Sequence, residues 1–237
     1  MSAVASPARP SLERIDLGIV AAYLLRDAGV VLVDTGLPGQ ERQIERALAR
    51  AGVRPGRLDA IVATHVHSDH VGGAAALAGK FGAPLLLSHG GAVQAPRGRN
   101  ALGRFTNPAR RALARLGLPA GRFPPFEADV VLGDGERLDR FGVPATVLST
   151  PGHTDHDLSL LLDDGTLLAG DLLGGHALLR DRPVLPFVLA DDEVWRASLA
   201  RVAALPVRTA HPGHGRRFGG DALRRYAARR NTPADGR

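Results

Sequence analysis

The decapeptide THVHSDHVGG, Thr64 to Gly73, sets three imidazoles and a carboxylate within positions 65–70, and no other stretch constrains the chain so tightly. Each of these groups is costly to bury without a partner. The fold must therefore leave them in water or gather them around a cation. "LDAIVAT" ahead of them reads as a short buried strand, and "VGGAAALAGKFG" behind them as a helix-prone run. Alternate side chains of an extended segment share a face, so His65 and His67 point to one place at the strand end. Asp69 and His70 then project from the first turn of the following helix towards the same place.

A catalytic zinc usually takes three protein ligands and keeps an open position. More ligands are therefore expected from elsewhere. "STPGHTDHD" supplies His153 after the strand "PATVLS", "LLAGD" ends a strand in Asp171, and "AHPGHG" supplies His214 after another strand. His156 and His211 each lie three residues from one of these histidines and are alternative ligands on spacing alone. Two cations would divide the set as His65, His67 and His153 against Asp69, His70 and His214. Asp171 would lie between them, at the roughly 3.5 to 4 Å metal spacing usual for such pairs.

Around these motifs the chain alternates strands and helices. Strands are expected at "GIVAAYLL", "GVVLVDTG", "APLLLSH", "DVVLGDGERL", and the hairpin "DLSLLLDDGTLLAGD" turning at Asp163, Asp164 and Gly165. Helices are expected over Gln40 to Ala51, from an Asp191–Asp192 cap to Leu205 with Val194, Trp195, Leu199 and Val202 on one side, and over "DALRRYAARR". That order argues for mixed sheets covered by helices in an α/β fold.

The 237 residues, 44% of them hydrophobic, suit one domain spanning 1–237 with a core over about 15–230. Between Phe81 and Phe126 there is no acidic residue, yet Arg97, Arg99, Arg104, Arg110, Arg111, Arg115 and Arg122 all fall there. This Arg-rich insertion, about 90–126, is either a solvated helical excursion or a wall that attracts anionic substrates. The net charge of +6 raises nucleic acid as a partner, but Lys80 is the only lysine and aromatics are 4% of the chain. A stacking platform for bases is therefore not favoured. No apolar run is long enough to span a bilayer, and the N-terminal segment lacks the apolar stretch of a secretory signal. A cytoplasmic protein is expected. The absence of cysteine excludes disulfides, thiolate ligands and thiol nucleophiles.

"VDTG" at Val33 to Gly36, "THVHSDHVGG", "TPGHT" at Thr150 to Thr154, "GD" at Gly170 and Asp171, and "PGHG" at Pro212 to Gly215 together resemble the metallo-β-lactamase-fold hydrolase superfamily. The resemblance covers roughly Gly18 to Gly215 and implies a four-layer αββα sandwich with metals at one edge of two paired, mixed β-sheets. It favours His153 over His156 and His214 over His211 as ligands. It makes Asp34 an acid that orients a ligand or the histidine-rich loop, and leaves His156 as a supporting or substrate-facing group or a surface residue. His211, His89 and His176 read as structural. Tyr23 and Tyr226 read as packing residues, with an oxyanion-donor role as the alternative.

The chemistry so implied is that of a binuclear hydrolase with two zinc ions per chain, iron or manganese being alternatives. A metal-bridging hydroxide would attack an ester, thioester or lactone bond of a small anionic substrate, with Asp69 orienting it and passing a proton to the leaving group. The antibiotic-degrading members of the fold mostly lack a carboxylate at the Asp171 position, which argues against that activity. A metal-dependent endoribonuclease is one alternative. A mononuclear iron persulfide dioxygenase is another, although the full ligand set argues against it. The expected cleft walls are Gly90 to Phe126 and Leu172 to Ala190, the second with Arg180, Arg182 and Phe187.

Overall fold

The computed structural model describes residues 10–100, 104–106 and 121–231. Strands β1 (Ser11–Asp16), β2 (Ala21–Arg26) and β3 (Val30–Val33) lead through helix α1 (Glu41–Arg50) to β4 (Ala60–Val62). Helices α2 (Ser68–Val71) and α3 (Ala74–Phe81) follow, then β5 (Leu85–Ser88), helix α4 (His89–Gln94) and the two-residue β6 (Arg104–Phe105). The second half runs β7 (Val130–Leu132), β8 (Ala145–Ser149), β9 (Leu158–Leu162), β10 (Thr166–Gly170), β11 (Gly174–Gly175), β12 (Pro183–Val184) and β13 (Val188–Leu189). A helix over Asp192–Ala203, strands β14 (Thr209–Pro212) and β15 (Phe218–Gly219), and a last helix over Gly220–Asn231 complete it.

Two mixed sheets carry the architecture, one in the order β1-β2-β3-β4-β5-β7 and the other β15-β14-β10-β9-β8. The period-2 alternation of the strands decides which residues meet. Ala21, Tyr23, Leu25, Val31, Val33, Ala60, Val62 and Leu86 pack with Ala145, Val147, Leu158, Leu160, Leu162 and Leu168 of the second sheet. The intervening residues Leu24, Leu32, Ile61, Leu85 and Leu87 face the other way, against Ile44 and Leu48 of α1 and Leu77 and Phe81 of α3. On the far side, Leu167, Ala169 and Ala210 pack under Trp195, Leu199, Val202 and Leu223. Three apolar layers separate four structural ones, which is the αββα sandwich. Strands buried on both faces read as continuous apolar runs, as the central ones here do.

The helix over Asp192–Ala203 departs from its expected face. Trp195, Ser198, Leu199 and Val202 are buried, whereas Val194 is 40% exposed. Ser198 takes the inward position because its hydroxyl donates to the Pro151 carbonyl at 2.7 Å. Asp191 caps the helix by accepting from the Glu193 and Val194 amides, as its sequence position suggests. The helical insertion expected over 90–126 is seen only at its flanks: residues 101–103 and 107–120 lie outside the described residues. Those flanks form α4, a 3-10 turn at Ala95–Arg97 and an antiparallel bridge between Arg99 and Arg122. Among the described residues no helix is long and apolar enough to cross a membrane.

Trp195 joins this core to the functional edge. It is fully buried, its indole N–H donates to the Leu172 carbonyl at 2.7 Å, and the backbone of Gly152 rests against it. Trp195→Ala should cost about 3–5 kcal/mol, the range for deleting a large buried aromatic. Urea denaturation followed by far-ultraviolet circular dichroism measures it.

Candidate metal centre

Strand β4 ends at Val62, and the chain stays extended through His67, whose φ of −105° and ψ of 150° precede the single helical turn α2. His65 and His67 therefore leave the strand on one side, and His70 returns from the turn beneath them. Gly72 permits the return, because a Cβ there would collide with the backbone of Leu37 and Pro38. Three further loops reach the same edge: β8 to β9 brings His153, the end of β10 brings Asp171, and the end of β14 brings His214.

The donor atoms lie within 4.8 Å of one another in three overlapping groups: His65, His67 and His153; His65, His70 and Asp171; and Asp69, His70 and His214. His153 Nε2 stands 3.2 Å from His65 Nε2 and 3.0 Å from His67 Nδ1. His70 Nε2 stands 3.3 Å from His214 Nε2. Asp171 reaches both sides, with Oδ2 3.5 Å from His153 Nε2 and 3.5 Å from His214 Nε2, and Oδ1 3.5 Å from His70 Nε2. All the residues expected as ligands are thus brought together, though they are separated by up to 149 positions, from 65 to 214.

Hydrogen bonds on the far side of the rings decide which nitrogens face inward. His70 Nδ1 bonds Asp34 Oδ2 at 2.8 Å, His153 Nδ1 donates to the Val188 carbonyl at 2.8 Å, and His214 Nδ1 donates to the Ile19 carbonyl at 2.7 Å. Thr64 Oγ1 donates to Asp34 Oδ2 at 2.8 Å and so accepts from His65 Nδ1 at 3.2 Å. Such partners set the tautomer, leaving each inward nitrogen of a neutral ring as a lone pair. Lone pairs facing one another at 3.0–3.2 Å, as in the His65, His67 and His153 group, repel unless a cation sits between them. Asp171 Oδ1 is moreover buried without a hydrogen-bond partner, in a place where a metal would satisfy it.

The electrostatics agree. Burial, aided by the neighbouring imidazoles, pushes His65 well below the usual range, and burial with His153 lowers His67 to about 3. Both are neutral and ready to coordinate. Burial would lower His70 and His214 too, but Asp34 and Asp171 outweigh it at His70, raising it to about 10. Asp171 and Asp69 do the same at His214, raising it to about 9. The Asp69 and Asp171 carboxyls are held low against burial, chiefly by His214 and His70. This side of the cluster demands positive charge, which a divalent ion supplies better than a proton.

Supporting residues complete the picture. Asp34, at a left-handed φ of 62°, accepts from the Thr64 amide at 2.8 Å as well as from the Thr64 hydroxyl and His70. His156 is buried; its Nε2 accepts from the Val66 amide at 3.2 Å and its Nδ1 bonds Asp155 at 2.6 Å. It braces the backbone between His65 and His67, which rules out the surface alternative. His211 meets the Tyr23 ring edge-on at 5.7 Å, outside the donor cluster. The Tyr23 hydroxyl is buried and donates to the Pro212 carbonyl, so it is a brace for the His214 loop, not an oxyanion donor. His176 accepts from the Leu178 and Leu179 amides as a local turn former.

Three contributors were not anticipated. Asn100 accepts from the Ser68 amide at 2.7 Å and so caps α2 from a distant loop. Asp157 is buried and accepts from the Thr154 amide and hydroxyl at 2.6 Å each, shaping the His153 loop; burial raises its carboxyl. Gly213 is required because a Cβ would lie 2.5 Å from His70 Cε1 and 2.8 Å from Asp171 Oδ1. Phe187, expected on the second cleft wall, puts its ring 6.4 Å from that of His214 and is 52% exposed, at the mouth of the site.

A family model described as the metallo-beta-lactamase superfamily matches residues 15–214. The human protein named metallo-beta-lactamase domain-containing protein 1 is 33% identical over 182 residues, 76% of this chain and 52% of that protein. An Aspergillus fumigatus protein named atrochrysone carboxyl ACP thioesterase is 27% identical over 187 residues, 78% of this chain and 47% of that one. The chain spans about half the length of these curated relatives. A solved metallo-beta-lactamase of Cronobacter sakazakii with a HARLDQ motif superposes with a TM-score of 0.69 at 26% identity, covering 95% of this chain and 92% of that one.

Asp34→Asn keeps the shape but removes the charge that orients His70. Metal affinity should fall about 10- to 100-fold, the usual effect of removing such a support. A chelator-competition titration measures the change, and an unchanged affinity would show that His70 holds its orientation without Asp34.

Proposed function

The chain belongs to the metallo-beta-lactamase superfamily, and on that footing we propose that it is a binuclear metal-dependent hydrolase cutting an ester, thioester or lactone bond of a small anionic substrate. The observation that carries this reading is the placement of Asp171, whose two oxygens approach histidines of both donor groups while Oδ1 has no other partner. His65, His67 and His153 would hold one ion, Asp69, His70 and His214 the other, and Asp171 would contact both. Zinc suits nitrogen and oxygen donors without thiolate, and the pair would supply a water of lowered pKa together with a Lewis acid for the substrate carbonyl.

The protein's own groups do the rest. Asp69 is partly exposed, and its Oδ2 lies 3.3 Å from His214 Nε2, so its carboxylate is ionised at the mouth of the site. There it can take a proton from the attacking water and deliver it to the leaving alkoxide or thiolate. Asp34, Thr64 and the carbonyls of Val188 and Ile19 hold the rings so that no reorientation accompanies the reaction. The net charge of +6 favours arrival of anions at the cleft. The thioesterase name of one relative supports the substrate class, and we take residues 1–237 to act as one catalytic domain.

Asp69→Asn should lower kcat by about 10²- to 10⁴-fold even at saturating metal, and should weaken binding of the ion that Asp69 helps to hold. Asp171→Ala should lose both turnover and bound metal. These are measured by steady-state assays on a panel of thioesters, lactones, β-lactams and single-stranded RNA, with metal quantified in each preparation. An Asp171→Ala protein with undiminished kcat would refute the shared-carboxylate role. Metal content near one iron per chain in the wild type would refute the binuclear hydrolase.

A further inference from the structure

Outside the metal cluster, arginines without ion-pair partners among the described residues gather on the ribbon formed by Gly98 to Asn100 and Gly121 to Phe123. The antiparallel bridge pairs Arg99 with Arg122, and directly opposed residues of such a pair project from the same face. Asn100 and Phe123 donate their amides to the carbonyls of Gly121 and Gly98 at 2.7 Å and 3.1 Å, so the ribbon has a defined register. Arg97 stands two residues before Arg99, at the end of the 3-10 turn, and donates to Gln94 Oε1 at 3.0 Å. Arg97, Gly98, Arg99 and Arg122 line an open depression of about 420 Å³. Among the described residues no carboxylate forms an ion pair with any of the three arginines.

Two connections place this depression beside the metal centre. Asn100, next to Arg99, holds the Ser68 amide between His67 and Asp69. Asp155 feels Arg97 as well as His156, whose ring supports the Val66 amide. Asp155 is already engaged by His156 at 2.6 Å. The guanidiniums are planar forks suited to tetrahedral oxyanions, and three of them exceed what one carboxylate needs.

We propose that Arg97, Arg99 and Arg122 form a subsite for a phosphoryl group carried by the substrate at a distance from the bond being cut. This rests on the hydrolase reading and narrows its substrates to phosphorylated esters or thioesters. A small ligand suits the site better than RNA, because the ribbon offers one compact cationic patch while Phe123 is buried and gives no ring for stacking.

The test is the double variant R99Q/R122Q, neither residue of which belongs to the metal cluster. Calorimetric titration of the metal-loaded protein with adenosine 3′,5′-bisphosphate should give binding that weakens at least about tenfold in the variant, as loss of two charge-assisted contacts implies. Equal affinity in both proteins would overturn the subsite, since it would mean the probe binds elsewhere. In turnover, KM for acetyl-coenzyme A should rise at least about tenfold with kcat unchanged, while acetyl-pantetheine, which lacks phosphate, should be unaffected. A parallel loss with both substrates would also overturn the proposal. If no ester or thioester is turned over, the hydrolase reading fails and the bisphosphate titration still decides the subsite. Single-stranded RNA bound through these arginines while the bisphosphate is ignored would replace the small-molecule proposal.

Discussion

The mutual repulsion of inward-facing imidazole lone pairs governs this molecule. His65, His67 and His153 meet at 3.0–3.2 Å, burial keeps His65 and His67 neutral, and hydrogen bonds on the opposite edge of His65 and His153 fix those rings. A fold that spends its hydrogen bonds in this way gains nothing unless a cation binds the convergent nitrogens. The second group has the complementary character: Asp34, Asp69 and Asp171 surround His70 and His214 with negative charge that draws a cation or a proton to them. One half supplies lone pairs and the other supplies charge. The carboxylate common to both is the group with a buried, unpartnered oxygen.

The sandwich makes this arrangement affordable. Three apolar layers hold both sheets rigidly, and the donors are confined to short segments just beyond strand ends. The loops are then fixed to one another: the Ala21 amide donates to the Gly213 carbonyl, the Leu158 amide to Thr64, and the Gly213 amide to Gly170. The Val188 carbonyl that orients His153 belongs to a two-stranded ribbon with Phe105. The part of the chain that carries the arginines is thereby joined to the metal loop at two points, through Val188 and through Asn100. Rigid elements below and cross-braced loops above are what precise ligand geometry needs.

The ligand cluster was legible because its chemistry is local and costly: histidine and aspartate at the ends of apolar runs have few other reasons to be there. The central strands were equally readable, since being buried on both faces turns them into unbroken runs of Val, Leu, Ile and Ala. β1, "SLERID", was not, because an edge strand with one polar face gives no such run. Nor were the two-residue strands β6, β11, β12, β13 and β15, which arise from loops meeting in space. Val194 misled because side-chain hydropathy carried no information about the Ser198 hydrogen bond to Pro151. Asn100, Val188 and Gly213 act through a backbone carbonyl, a single amide or the absence of a side chain. No periodicity marks such roles, although Asp157, four residues beyond His153 and just before an apolar strand, did leave a trace in "HTDHD".

The division of labour between these two kinds of residue has a consequence for how such a chain diversifies. Ligands at strand ends are tied to the core, so altering one disturbs metal and fold together. Among the described residues the arginine ribbon meets the metal-binding loops through Asn100, and the segment bearing Phe187 meets them through the Val188 carbonyl and the Phe187 ring. Side chains elsewhere on those segments can change charge or size while the anchoring contacts persist, one through the Asn100 side chain and the other through the Val188 carbonyl. Substrate choice can therefore drift across this scaffold at little cost to the chemistry, because the hydrogen bonds that orient the metal ligands and the side chains that meet the remote end of the substrate belong to neighbouring but different residues.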